Sequence, residues 1–148
     1  GPPEASIYLA ALSSMLIRTA DEISNVEATL DEMMLNFNAT TKRAQGGLMV
    51  RWEPEPLHPF LPHGPHGPWF FLAIRDGNRT HSRRVTGSRG QRNPITKAFL
   101  SRIAYRGDLG RIVSLAEQIW DQRIHRRQLT QQLLSAAKAV KPYYYHEA

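Results

Sequence analysis

From Ala5 to Gln45 the chain contains neither glycine nor proline, the two residues that most often end a helix. Within that run apolar side chains recur at Leu9, Leu12, Leu16, Ile23, Val26, Leu30, Met33 and Phe37, with Thr19 completing the register. The steps alternate between three and four residues, the spacing of an a/d seam, over about four heptads. One long helix over residues 5–43 follows. Lys42 and Arg43 fall in its last turns, where the helix dipole favours cations, and Gly46-Gly47 ends it. A stripe this long must be covered. Two partners fit: the chain's own C-terminal helix, or a second copy meeting it through residues 9–37 as a homodimer.

The next segment changes character. LMVRWE (48–53) reads as a strand, while EPEPLHPFLPHGPHGP (53–68) holds too many prolines for a helix or a central strand and reads as a long loop. WFFLAIR (69–75) reads as a buried strand, Asp76-Gly77-Asn78 as a hairpin turn and RTHSRRV (79–85) as the returning strand. Three such strands covered by a helix are about the minimum that is stable. TGSRGQRN (86–93) has no periodicity. Asn93 then looks like a cap and Pro94 the first residue of a helix that runs to about Tyr105 and buries Ile95, Phe99, Leu100 and Ile103. Asp108 can cap a last helix from Leu109, carrying Ile112, Leu115, Ala116, Ile119, Trp120, Ile124, Leu129 and Leu133 and stopping at Lys141-Pro142. The expected fold is α+β: a small antiparallel β-sheet or hairpin flanked by long antiparallel, coiled-coil-like helices. It forms a single domain over residues 3–148, divided into a long helix (3–45), a β-rich basic segment (46–92) and C-terminal helices (93–141).

Gly1-Pro2 has the look of a protease-cleavage remnant. The absence of cysteine excludes a disulfide framework and thiolate metal sites, and agrees with a reducing, cytoplasmic setting. No run of about 18 apolar residues suggests a membrane span. Asn38-Ala39-Thr40 and Asn78-Arg79-Thr80 match the glycosylation sequon, a triplet that often arises by chance. The net charge of +6 is unevenly spread. Residues 1–47 carry three Lys/Arg against six Asp/Glu, residues 48–106 ten against three, and residues 107–148 six against four. An acidic helix is therefore joined to a basic middle, and the middle suits a polyanionic partner.

That excess concentrates in RDGNRTHSRRVTGSRGQRN (75–93), which has six arginines and one acid. Arg75, Arg79, Arg83, Arg84, Arg89, Arg92, Lys97 and Arg102 are the candidate nucleic-acid contacts, because planar guanidiniums match phosphate oxygens and guanine edges. On a strand Arg79, His81 and Arg83 share one face, with Arg75 near them across the turn. A basic antiparallel ribbon can enter the major groove, and a basic loop can follow the backbone. The competing reading is a solvated loop. Arg123, Arg126 and Arg127 could extend the track on an outer helix face, or pair with acids of the first helix. His58, His63 and His66 invite a metal reading, but their irregular spacing in a proline-held loop favours turn residues, and no cofactor is expected. Trp52, Phe60, Trp69, Phe70 and Phe71 could stack bases, or simply fill a core. No phosphate loop, nucleophile elbow or zinc-protease motif is present, so a non-enzymatic protein is expected.

The order of parts carries a resemblance. After the long helix come GGLMVRW, then WFFLAIR, then RRVTGSRGQRNPITKAF, then a helix bearing Ile112-Val113, Glu117, Trp120, Arg126-Arg127 and Leu129. Over residues 46–135 this resembles the MobI family of conjugative-transfer accessory proteins of plasmids and integrative elements. The Pro/His-rich stretch 54–68 departs from that pattern. The resemblance implies action at a transfer origin, binding DNA or helping a relaxase load, with Arg79, Arg83, Arg84, Arg89 and Arg92 matching the basic segment. The reading from residues is a DNA-binding accessory protein. Its alternative is a helical protein–protein adaptor whose surface is the first helix and the proline-rich loop.

Overall fold

A computed structural model describes residues 3–43, 47–53, 66–87 and 92–147. The long Gly/Pro-free run forms α1, Pro3–Arg43. A hairpin-rich segment follows, with β1 at Leu48–Glu53, β2 at His66–Asp76 and β3 at Arg79–Arg84. A short helix α2, Lys97–Arg102, leads to α3, Leu109–Glu147. The architecture is α+β, as the periodicities predict.

The three strands form one antiparallel sheet in the order β1-β2-β3. Val50 stands opposite Phe70, and the Val85 N–H donates to the Phe70 carbonyl, so these three share the buried face. The β2–β3 turn is Gly77-Asn78, and Gly77 takes φ +60°, the region a tight hairpin needs at its first central residue. At the other end of β2, Gly67 takes φ +111°, and a Cβ there would lie 2.8 Å from the Trp69 ring. A larger residue would push Trp69 from its place.

α1 and α3 lie against each other in opposite directions. Phe37 of α1 meets Phe70 at a ring separation of 5.3 Å, and Phe70 stacks on Trp120 of α3 at 6.3 Å. Farther along, Glu27 reaches Arg126 and Glu22 reaches His125. The core is built from Ile23, Val26, Leu30, Met34 and Phe37 of α1 and from Ile112, Ala116, Ile119 and Trp120 of α3. Leu48, Val50, Phe70, Val85, Ile95 and Leu100 complete it. Burying a set of this kind is the main stabilising term, at roughly 1.5–3 kcal/mol per large apolar side chain.

The seam of α1 is covered only in part. From Ile23 to Phe37 it is buried within the chain, with Met34 rather than Met33 the deeper residue. Toward the N-terminus the same face opens, and Leu9 and Leu12 are 66% and 50% exposed. The stretch 23–37 is thus occupied by α3 and the sheet, and a second copy would find only the end of the seam free.

Four boundaries differ from the sequence reading, the first being β2, which begins at His66 inside the stretch read as a proline-rich loop. The short helix begins at Lys97, capped by the Thr96 hydroxyl, which accepts from the Phe99 N–H. Asn93 instead folds back on Ile95 through both ends of its amide, a local turn that competes with helix. The helix also ends earlier, at Arg102, with Ala104 in the left-handed region at φ 53°. α3 continues past Pro142 to Glu147. Proline removes one helical donor there without ending the helix. Asp108 caps α3 as expected, its carboxylate accepting from the Arg111 N–H.

Candidate nucleic-acid interface

The β2–β3 hairpin carries the cations, and strand register decides where each one stands. Arg79, His81 and Arg83 alternate along β3 on one face, as the sequence predicts, and all three are exposed. Arg75 pairs with Thr80 and so belongs to the opposite face, with Ser82 and Arg84. That corrects the expectation that Arg75 joins Arg79 and Arg83. Rise per strand residue puts the Arg79 and Arg83 backbones about 13 Å apart.

Arg84 is half-buried and engaged. Its guanidinium is paired with the Glu53 carboxylate from the far strand of the sheet and lies 4.2 Å over the Trp69 ring. Glu53 therefore has a partner inside the sheet. On the same face Arg51 covers Phe71 at 3.9 Å and donates to the Ser82 hydroxyl at 2.9 Å. Sequence reasoning passed over Arg51 because it precedes the basic run by more than twenty residues. Only strand pairing brings it beside Ser82 and Arg84.

Below the hairpin, Arg92 and Arg102 come together. With Thr86, Gly87, Asn93, Pro94, Thr96 and Phe99 they line an open cleft of about 710 Å³ between the end of β3 and α2. Lys97 opens α2 and is exposed. Among the described residues none of Arg75, Arg79, Arg83, Arg92, Lys97 and Arg102 takes part in an ion pair. Arg89 lies outside the described residues, as do His58, His63 and Phe60.

The arginines of α3 do not form the outer face that their spacing suggests. Arg123 is buried against Trp69 and Trp120. Arg126 sits over Trp52 and is paired with Glu27. His125 meets Glu22. His125 and Arg126 follow the second expectation, pairing with acids of the first helix, whereas Arg123 meets neither expectation and Arg127 is exposed. The aromatic residues are divided in the same way. Phe70 and Phe71 are buried, and Trp52 and Trp69 are half-buried under arginines rather than open for base stacking.

Among the described residues no cluster of His, Asp or Glu could hold a metal ion, and His66 lies beside Trp69 instead. No helix among them is long and apolar enough to cross a membrane. No protein-family model, no curated protein and no solved structure matches this chain.

Proposed function

We propose that this is a non-enzymatic DNA-binding protein that grips the phosphate backbone with the β2–β3 hairpin and the cleft beneath it. The observation that carries the reading is the set of exposed cations Arg75, Arg79, Arg83, Arg92, Lys97 and Arg102, none of them ion-paired among the described residues. A surface selected for solubility alone intersperses acids among its bases, and here only Asp76 does so. Arg79 and Arg83 would follow one strand of the duplex. Arg92, Lys97 and Arg102 would continue the contacts, and Arg75 would reach a second phosphate from the other face of the ribbon. The resemblance in pattern to MobI proteins makes a transfer origin the first DNA to try, with a relaxase the first partner.

The test is fluorescence anisotropy of labelled duplex DNA with the full chain at 50 and 200 mM salt. Six phosphate contacts cost roughly 10³-fold in affinity across that range. No binding at the lower salt ends this reading.

A second reading has its own observation. Ile7, Tyr8, Leu9, Leu12, Met15 and Ile17 are all at least half exposed on the first turns of α1. An adaptor would use that apolar end of the helix to hold another protein, and its affinity would barely respond to salt.

A further inference from the structure

Arg123 projects from the middle of α3 and is only 6% exposed. Its Nε donates to the Pro68 carbonyl at 3.0 Å, and its guanidinium lies 4.0 Å over Trp69 and 4.5 Å over Trp120. The Pro68 bond uses one of the five N–H groups that an arginine offers. Among the described residues no carboxylate pairs with Arg123 and no acceptor meets its terminal nitrogens.

Its surroundings add charge of the same sign. Arg84 lies over the same Trp69 ring at 4.2 Å, and Arg127 follows one helical turn along α3, a spacing that puts two side chains on one face. The nearby acids are engaged elsewhere. Glu53 holds Arg84, Glu27 holds Arg126, and Asp31 accepts from the Trp52 indole N–H. Trp69 Nε1 is enclosed and also lacks an acceptor among the described residues. The cluster is rich in donors and positive charge and short of acceptors and negative charge. Burial, with Arg127, Arg84 and Arg126, pulls the Arg123 pKa down to about 10. A buried cation without a counter-charge is costly, and an anion would relieve it.

We propose that Arg123 and Arg127 form a binding site for a phosphate group beside Trp69, with Arg84 held by Glu53 on the same ring. Guanidinium forks match phosphate oxygens, and here one helix presents two of them, Arg123 against the Trp69 indole and Arg127 one turn along. The phosphate belongs either to a nucleic-acid backbone or to a free phosphorylated molecule, and the recognition chemistry is the same. The site rests on α3 and Trp69, so it stands whether or not the hairpin binds DNA.

The full chain is melted, followed by circular dichroism, while low-millimolar inorganic phosphate replaces chloride at fixed ionic strength. In parallel, short oligonucleotides with and without a 5′-phosphate are titrated and read by tryptophan emission. A saturable rise in Tm of about 3–6 °C is expected. Emission should change too, since Trp69 and Trp120 both stack on Arg123. Arg123→Met should abolish the response, and Arg127→Ala, at an exposed position, should weaken it about tenfold even where the first variant does not fold. Arg79→Ala/Arg83→Ala should leave it intact. A response to inorganic phosphate supports a free ligand, and a response to oligonucleotides alone supports the backbone. The proposal is overturned by no saturable response to either, or by a response that Arg127→Ala leaves unchanged.

Discussion

The side-chain amide of Asn38 pairs with the backbone of Val50 at both ends, Nδ2 donating to the carbonyl and Oδ1 accepting from the N–H, each at 2.8 Å. β1 is an edge strand, and at its middle α1 supplies the pairing that a fourth strand would otherwise supply. The contact also fixes how the sheet sits on the helix, because Val50 is fully buried beside it. Asn38→Ala should destabilise the protein by about 2–3 kcal/mol, since it leaves a donor and an acceptor unmet at once. Urea unfolding of the two proteins measures the difference, and a change below about 0.5 kcal/mol would show that water replaces the amide. The same geometry leaves no room for a glycan on Nδ2, although Asn38 opens a sequon.

Neighbouring arginines on β3 should behave differently. Arg83 is exposed and unpaired among the described residues, whereas Arg84 bridges Glu53 and Trp69. Arg83→Ala should leave stability within about 0.5 kcal/mol and lower the slope of log affinity against log salt by about one. Arg84→Ala should instead cost about 1–2 kcal/mol of stability, through the lost stacking on Trp69 and the orphaned Glu53. Paired melting and anisotropy curves separate the two effects. Equal losses of DNA affinity at unchanged stability would contradict the division of labour.

What the sequence disclosed was governed by periodicity. Ile23, Val26, Leu30 and Phe37 repeat at helical spacing, and Val50 and Phe70 lie in apolar strand-like runs, so fold class and most of the core follow from pattern. Pattern misled where a long-range partner decides. Arg123 has the composition of a surface residue and became a buried one because Trp69, Trp120 and the Pro68 carbonyl surround it. Asn38 finds its partner twelve residues away across the end of α1. Arg75 changed faces because the two-residue turn fixes which residue stands opposite which.

Arg123 should show a pH dependence whose sign can be worked out. A cation with a folded-state pKa near 10 and a higher unfolded value binds fewer protons when folded. It therefore costs stability while charged, fully below about pH 10, and the cost is relieved as pH rises above that value. Against it stand the stacking on two indoles and the bond to Pro68, together about 2–4 kcal/mol. The terms nearly cancel, so in phosphate-free buffer at pH 7 Arg123→Met should lie within about 1 kcal/mol of the native protein. Arg123→Ala also removes the apolar stem and should cost about 2–3 kcal/mol more than Met. Above pH 10 the native protein should gain stability relative to Arg123→Met, and a difference that stays flat to pH 12 would rule out the penalty.

The open end of α1 gives the last prediction. From Ile7 to Ile17 the helix carries no charged residue, and six of its seven large apolar side chains are at least half exposed. Each offers on the order of 100 Å² of apolar surface. Tyr8, Leu9, Leu12 and Met15 share one face of the helix, and two copies meeting there would bury on the order of 800 Å², the size of a small, weak interface. A homodimer joined at this end would place two basic hairpins on one DNA, which suits a repeated site. Leu12→Glu/Met15→Glu should leave the melting temperature of dilute protein within about 2 °C, because neither side chain belongs to the folded core. Sedimentation equilibrium should find the native chain increasingly dimeric toward about 100 μM, as suits so small an interface, and the double variant monomeric throughout. DNA affinity on a two-site duplex should fall with it, while affinity on a single short site should not. A native chain that sediments as a monomer at every concentration would remove the dimer and leave that face to a different protein.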